Sequence, residues 1–127
     1  MNKEIQLNKD TMIVSETDVK GIILYANDDF CEIAGYSKEE LIGQAHNIVR
    51  HKDMPKVAFK DLWEHMKAKK VWHGIVKNRT KEGNYYWVNA TAYSVTKENG
   101  EQRLLSVRVK PTKEEVRDAI ELYKTLN

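Results

Sequence analysis

The start of the chain places apolar residues at strand-like intervals and then at helix-like ones. The runs TMIVSET (11–17) and GIILYA (21–26) are rich in strand-forming residues and are separated by turn chemistry, so they predict two strands. Asn27 is placed to cap a short helix, and Gly35 is placed to end it. A pair of strands followed by a short helix is therefore the predicted beginning of the fold.

Helical spacing continues through the middle of the chain. Ser37 and Glu40 form a capping-box pair that predicts the start of a second short helix. After Pro55, whose missing N–H is tolerated in a first helical turn, apolar residues recur at helical intervals. This stripe consists of Val57, Phe59, Leu62, Trp63 and Met66. A longer helix is therefore predicted after residue 55.

Strand spacing returns in the second half of the chain. Three segments with mixed alternation follow one another, VWHGIVKNRT, NYYWVNATAYSVT and RLLSVRV, and the turn signals EGN and ENG separate them. Pro111 ends this pattern, and Thr112 is placed to cap a terminal helix. The apolar stripe of that helix is formed by Val116, Ala119, Ile120, Tyr123 and Leu126.

These elements predict an α+β architecture. Two early strands must pair with three distant ones across the intervening helices, which gives a five-stranded antiparallel sheet with helices packed on one face, plus a C-terminal helix. The expected division of the chain is an N-terminal arm or cap at 1–10, the main domain at 11–111, and a C-terminal helix or linker at 112–127.

Composition excludes several classes of protein. The chain has 127 residues, of which 41% are hydrophobic and 31% charged, so a single folded domain is expected. A net charge of +2 is too small to indicate nucleic-acid binding. Cys31 is the only cysteine, which excludes an intrachain disulfide. No apolar run approaches the roughly 20 residues of a membrane span and no signal-peptide core is present, so a cytoplasmic location is predicted.

Candidate chemistry is concentrated in one stretch, AHNIVRHKDMPKVAF (45–59). Within it, polar and charged side chains crowd together just before Pro55: His46, Asn47, Arg50, His51, Lys52 and Asp53. This cluster indicates either a binding loop or a solvated pair of side chains that only stabilises the local backbone conformation. The sequence contains no nucleophile beside a base, no paired carboxylate motif and no glycine-rich phosphate loop, so it does not predict an enzyme.

Three long stretches of the chain resemble the PAS domain of bacterial aerotaxis and energy-taxis receptors. They are ANDDFCEIAGYSKEELIGQAHNIVRHKDMPKVAF, VWHGIVKNRTKEGNYYWVNATAYSV and VRVKPTKEEVRDAIELYKTLN. The resemblance extends from about residue 11 to residue 127, which makes 11–111 the PAS sensor domain. The segments HNIVRHKDMP and WHGIVKNRTKEGNYYWV are the more specific part, because they are similar to the flavin-binding subgroup.

The resemblance implies a non-covalent FAD held between the sheet and the helical block. Arg50, His51 and Asp53 stand where the family carries its Arg, His and Asp, and Trp72, Asn78 and Asn27 also match positions that matter for FAD. It further implies that the redox state of the flavin is read by a membrane-bound methyl-accepting or HAMP-type transducer, or by the rest of the receptor. A homodimer is a further expectation.

The chemistry of these residues suits the three surfaces of FAD. A guanidinium such as Arg50 suits the anionic pyrophosphate, and the strand amides Asn78 and Asn89 suit the polar edge of the ring. Trp63 or Trp72 could supply an aromatic wall. Structural roles compete with these assignments: Asp53 and Asn27 could be helix caps, Trp63 and Trp72 could be core or sheet-end residues, and a strand asparagine could face solvent.

Two other functions remain open from the sequence. A haem-binding PAS gas sensor would use a histidine, and four are available: His46, His51, His65 and His73. A cofactor-free PAS module would use its exposed sheet to pair with a partner domain. Adduct chemistry between flavin and a thiol is not expected, since the segment before the long helix lacks a cysteine and Cys31 lies earlier.

Overall fold

The computed structural model describes residues 2–126, and it contains five strands and four α-helices. The strands are β1 (Met12–Thr17), β2 (Ile23–Ala26), β3 (Trp72–Arg79), β4 (Tyr85–Thr96) and β5 (Gln102–Val109). The helices are α1 (Asp28–Ala34), α2 (Lys38–Leu41), α3 (Lys56–Lys67) and α4 (Lys113–Leu126), with a 3-10 turn at His46–Val49.

The strands form one antiparallel sheet in the order β2-β1-β5-β4-β3. The long strand β4 pairs with β3 on one side and with β5 on the other. Because β2 and β3 lie at opposite edges, the chain between them must cross a whole face of the sheet, and α1, α2 and α3 are formed along that path. The α+β prediction of a five-stranded antiparallel sheet is confirmed.

The inner face of the sheet, which the crossing helices cover, mixes apolar and polar side chains. Successive strand residues point to opposite faces. On the inner face, buried Ile13 pairs with buried Arg108, and buried Ser15 pairs with half-buried Ser106. Phe30 of α1 and Val88 of β4 complete the apolar part of this layer. A serine and an arginine therefore lie where a core would ordinarily be apolar.

Helix boundaries follow the capping residues that the sequence predicts, with one exception. Ser37 and Glu40 form the expected reciprocal capping box of α2. Thr112 caps α4 by accepting from the backbone N–H of Glu115. The suggestion that Asp53 caps α3 is wrong, because Pro55 occupies that position and no side chain caps the helix there.

The two ends of the chain differ in where they join the sheet, because the N-terminal segment pairs at its edge and α4 packs on its outer face. The N-terminal segment extends the sheet beside β4, with the N–H of Ile5 donating to the carbonyl of Tyr85. Across the sheet, the hydroxyl of Tyr123 on α4 donates to the carbonyl of Ile75 on β3. Helix α4 thus lies on the face opposite α1–α3.

No helix within residues 2–126 combines the length and the apolar character needed to cross a bilayer.

Asn27 joins β1 to α1 through three hydrogen bonds. Its side-chain oxygen accepts from the N–H of Val14 at 3.0 Å and from the N–H of Phe30 at 3.1 Å. Its amide nitrogen donates to the carbonyl of Met12 at 2.8 Å. The helix-cap role that the sequence offers for Asn27 is confirmed, and the side chain fixes Phe30 relative to the sheet.

We expect Asn27→Ala to lower the free energy of unfolding by about 2 kcal/mol, since helix caps contribute about 0.5–2 kcal/mol and this one also bridges a strand. Urea unfolding at neutral pH measures the change. Asn99→Ala is the matched control, because Asn99 accepts one backbone N–H in an exposed turn. An Asn27→Ala loss no larger than the loss in the control would contradict the bridging role.

Candidate functional site

A cavity of about 80 Å3 lies between the inner face of the sheet and the helical block. We refer to it as the inner cavity. Its apolar walls are formed by Phe59, Leu62, Trp63, Trp72 and Val76, with Ala90, Ala92 and Leu104. Its polar lining is formed by Ser15, Thr17, His46, Asn47, Arg50, Asn78, Ser106 and Arg108. The strands and the helical block thus each contribute both apolar and polar side chains to the inner cavity.

Arg108 carries a positive charge into the floor of the inner cavity. Its side chain points inward from β5 and the residue is 4% exposed. One terminal nitrogen donates to Nε2 of His46 at 2.9 Å and the other donates to Oγ of Ser15 at 2.6 Å. The guanidinium carbon lies 4.9 Å from the centre of the Phe30 ring. Neutral acceptors and an aromatic face hold the cation in place.

No carboxylate of residues 2–126 forms a salt bridge with Arg108. Burial lowers the pKa of Arg108 to about 10, which leaves the guanidinium protonated at neutral pH. Over residues 2–126, neither Arg108 nor Arg50 takes part in a salt bridge. An unpaired buried charge is costly unless something else offsets it. The inner cavity is therefore suited to a ligand with an electron-rich edge.

His46 is neutral in this arrangement. Burial, followed by the nearby charge of Arg108, lowers the pKa of His46 to about 3. Because a guanidinium can only donate, Nε2 of His46 must be the acceptor of their hydrogen bond, and the ring proton is therefore on Nδ1. The imidazole is thus a fixed acceptor that orients Arg108.

Arg50 lies at the end of the 3-10 turn and stacks on α3. Its guanidinium carbon is 3.7 Å from the centre of the Phe59 ring, a short cation–π distance. Its backbone forms an isolated bridge with Asn78, which ties the turn to β3. Burial lowers the pKa of Arg50. The predicted residues Arg50 and Asn78 are thus neighbours in space, although the long helix separates them along the chain.

Several buried polar atoms near the inner cavity have no hydrogen-bond partner among the described residues. They include Nε of Arg50, Nε of Arg108 and the hydroxyl of Tyr86. Tyr86 lies opposite Asn78 in the ladder, and burial raises its pKa to about 12. Unpartnered buried donors are uncommon in folded proteins. The two guanidinium Nε atoms belong to residues that line the inner cavity, so they indicate a site built to receive acceptors.

Four of the eight predicted site residues line the inner cavity: Arg50, Trp63, Trp72 and Asn78. The sheet pleat explains the inward position of Asn78, which is 5% exposed. Trp63 lines the inner cavity from α3, and Trp72 lines it from β3. The remaining four residues lie elsewhere.

His51 and Asp53 form a separate cluster beside the edge of β3. Nδ1 of His51 accepts from the backbone N–H of Asp53 at 3.0 Å. Burial, followed by the charge of Lys77, lowers the pKa of His51, which favours its neutral form. The carboxylate of Asp53 accepts from Nζ of Lys77 at 3.0 Å, and this bond lowers its pKa. These contacts hold the loop and do not reach the inner cavity.

Asn89 lies on the outer face of the sheet, because strand alternation turns it away from the helices. Its oxygen pairs with Nε2 of His73 at 2.6 Å and its nitrogen donates to Glu115 of α4 at 3.1 Å. Asn89 therefore contacts α4 and does not line the inner cavity, and its predicted contact with a ring edge stays a prediction. Asn27 also lies outside the inner cavity and supports it indirectly through Phe30.

The sequence interpretation missed Arg108 and Ser15 and considered His46 only as a haem ligand or loop residue. A signal existed in RLLSVRV, where an arginine alternates with apolar residues inside a strand. Which face of β5 that arginine occupies depends on the register with β1. Residues 2–126 contain no group of three His, Cys, Asp or Glu side chains that could hold a metal ion.

Comparison with protein families finds the PAS fold over residues 23–108. The chain is 46% identical over 121 residues to the aerotaxis receptor of Escherichia coli K12, an alignment that covers 95% of this chain and 24% of the receptor. It is 28% identical over 91 residues to a nitrogen fixation regulatory protein of Klebsiella oxytoca, covering 72% of this chain and 18% of that protein. The chain therefore spans about a quarter or less of these two curated relatives.

Solved structures share the fold at low sequence identity. The dark structure of the blue-light photoreceptor Aureochrome1 LOV superimposes with a TM-score of 0.74 at 14% identity, covering 89% of this chain and 85% of that one. A light-oxygen-voltage domain studied with a flavin analogue gives a TM-score of 0.72 at 15% identity, covering 91% and 87%. At these identities the likeness establishes the fold alone.

The state of His46 predicts how stability depends on pH. Its pKa is 6.5 in the unfolded chain and about 3 in the folded one, so below pH 6.5 the unfolded chain takes up a proton that the folded chain does not. Stability then falls as the pH falls through this window, by about 1.4 kcal/mol per pH unit.

We expect the wild type to lose about 2 kcal/mol more unfolding free energy between pH 7 and pH 5 than His46→Gln does. Urea unfolding at each pH measures the difference. Gln supplies a neutral acceptor for Arg108 and does not titrate, while the carboxylates and His51 contribute to both profiles. Parallel profiles of the two proteins would show that His46 takes up a proton equally well in the folded chain.

Proposed function

The chain belongs to the PAS fold family, and from this membership we propose that it is an FAD-binding redox sensor domain for aerotaxis or energy taxis. Its similarity to the E. coli aerotaxis receptor over nearly its whole length supports a PAS sensor in aerotaxis. FAD as the specific cofactor, and the residues that hold it, are the finer part of the proposal.

The observation that carries the proposal is the buried positive charge in an aromatic-walled cavity. Arg108 lines the inner cavity, its Nε has no hydrogen-bond partner, and it has no carboxylate partner within residues 2–126. A flavin ring combines a flat apolar body with a polar edge that accepts hydrogen bonds. Such a ring would bury against Trp63 and Leu62 while its edge offset the charge of Arg108.

Three residues would make the polar contacts with FAD. Asn78 can both donate and accept through its amide, which suits a ring edge with mixed groups. Arg108 would face the electron-rich part of that edge, and Arg50, which is half-buried on Phe59, is the candidate for the pyrophosphate. The inner cavity is about 80 Å3, whereas ligand pockets are about 300–1,000 Å3, so binding requires a wall to move.

When bound, the flavin supplies reversible electron transfer, and the side chains of this domain respond to the charge at its edge. Arg108 favours added negative charge because it is a fixed cation in a dry environment. Asn78 can exchange donor for acceptor by rotating its amide. The apolar wall of Trp63, Leu62 and Val76 excludes water from the same space.

The proposed partners are those implied by the resemblance. They are a membrane-bound methyl-accepting or HAMP-type transducer or the remainder of a receptor, with a homodimer as a further possibility and the cytoplasm as the location of the domain. The haem alternative has weaker support. Nε2 of His46 is taken by Arg108, and the other three histidines, His51, His65 and His73, do not line the inner cavity.

An absorption spectrum of the purified protein, followed by chromatography of heat-released cofactor, tests the proposal. Oxidised flavin bands with FAD in the supernatant are the expected result. A Soret band would replace the proposal with haem binding. A colourless protein that also fails to bind added FAD would leave a cofactor-free interaction module.

Arg108→Met separates a ligand-binding role from a structural one. We expect FAD to bind at least about 10-fold more weakly, since hydrogen bonds to charged groups contribute about 1.5–3 kcal/mol. The unfolding free energy without FAD should change by less than about 1 kcal/mol, because removing an unpaired buried charge offsets the lost contacts. Nε2 of His46 would keep its existing hydrogen bond with the hydroxyl of Ser15 at 3.3 Å.

The control is Arg103→Met on the same strand, whose guanidinium pairs with Glu101 away from the inner cavity. FAD titration by fluorescence quenching and urea unfolding provide the two measurements. Equal FAD affinity in the Arg108 and Arg103 variants would contradict the assignment of Arg108 to the cofactor.

A further inference from the structure

Two cationic side chains line the inner cavity, one from β5 and one from the end of the 3-10 turn. Arg108 is buried and Arg50 is half-buried. Each has a buried Nε with no hydrogen-bond partner among the described residues, and neither forms a salt bridge within residues 2–126. After burial, the charges of Arg108 and Arg50 lower the pKa of His46, so both cations lie near that ring.

The size of the inner cavity limits which ligand can enter it without a rearrangement. Its volume is about 80 Å3, whereas pockets for drug-sized ligands are about 300–1,000 Å3. Since a cavity of about 10–15 Å3 already holds one water molecule, this volume admits a ligand of a few heavy atoms. A flavin ring needs a wall to move, but a small ligand does not.

The lining of the inner cavity favours an oxyanion over a neutral ligand. A guanidinium donates in a planar fork that matches the two oxygens of a carboxylate, and such charge-assisted hydrogen bonds are about twice as strong as neutral ones. Asn78 can donate through its amide from the same lining. Among the described residues, no Asp or Glu lines the cavity, so no carboxylate there would repel an anion.

We propose that the cofactor-free domain binds a small monovalent carboxylate, of the size of formate, in the inner cavity, where it pairs with Arg108 and Arg50. The anion would supply the negative charge that no carboxylate of residues 2–126 supplies to these two cations. Because the same arginines are assigned to FAD, the anion and FAD exclude each other. That competition rests on the proposed function, whereas anion binding by the cofactor-free domain does not.

Urea unfolding of the cofactor-free protein in sodium formate and in sodium gluconate tests the proposal. Both anions are monocarboxylates, and at the same concentration of about 0.1 M they screen surface charges equally. Gluconate is too large for the 80 Å3 of the inner cavity. We expect formate to lower the unfolding equilibrium constant about ten-fold relative to gluconate, the shift for a ligand at about ten times its dissociation constant. Equal constants in the two salts would overturn the proposal.

Variants of the two arginines locate the bound anion. Arg108→Met and Arg50→Met should each reduce the formate effect to less than about two-fold, because each removes one charge-assisted contact. The controls are Arg103→Met on β5 and Arg79→Met on β3, whose side chains lie outside the inner cavity, and both should keep the full effect. Each variant is compared with itself in two salts, so a general change in stability does not alter the comparison. A formate effect that persists in both Arg108→Met and Arg50→Met would rule out this site.

FAD titration of the wild type in the same two salts tests whether the anion and FAD share the inner cavity. The apparent dissociation constant of FAD should be about ten-fold higher in formate than in gluconate, since the anion occupies the competent form. Equal FAD affinity in the two salts would contradict a shared site. Failure to bind FAD in either salt would count against the proposed function alone, because the unfolding comparison decides anion binding without FAD.

Discussion

The candidate site depends on one constraint, a buried guanidinium that has no carboxylate partner within residues 2–126. Arg108 is held by two neutral acceptors, Ser15 and His46, and by the face of Phe30. Each of these groups keeps the charge oriented without cancelling it. Burying a cation that no anion compensates costs free energy, and the proposed ligand would offset that cost.

The path of the chain brings the partners of that charge together. Because β2 and β3 are at opposite edges of the sheet, the segment between them has to run across the inner face. This run carries His46 over β5 and Arg50 to β3, where its backbone bridges to Asn78. The helix that follows then supplies Phe59 as a stacking surface. Topology, more than local sequence, assembles the site.

Asn78 and Asn89 show how far local reasoning reaches. Both are amides inside strands, and both were candidates for the same ring edge. The structure places Asn78 against the helices and Asn89 against α4, because the two residues fall on opposite sides of the pleat. Asp53 is a similar case, since its carboxylate pairs with Lys77 and does not cap the helix that follows. The assignment of any of these residues to FAD stays a prediction.

The sequence by itself determined the elements: the strand runs, the caps Asn27, Ser37 and Thr112, and the α+β order of the fold. These follow from periodicity and from short-range hydrogen bonds, which are written in neighbouring residues. Only the tertiary structure decided that Arg108 meets His46 and that Arg108 and Arg50 line the same cavity. Those contacts depend on the register of the strands and on the path of the chain across the sheet, which bring together residues that are distant in sequence. Local sequence patterns do not tell whether two such residues lie on the same face.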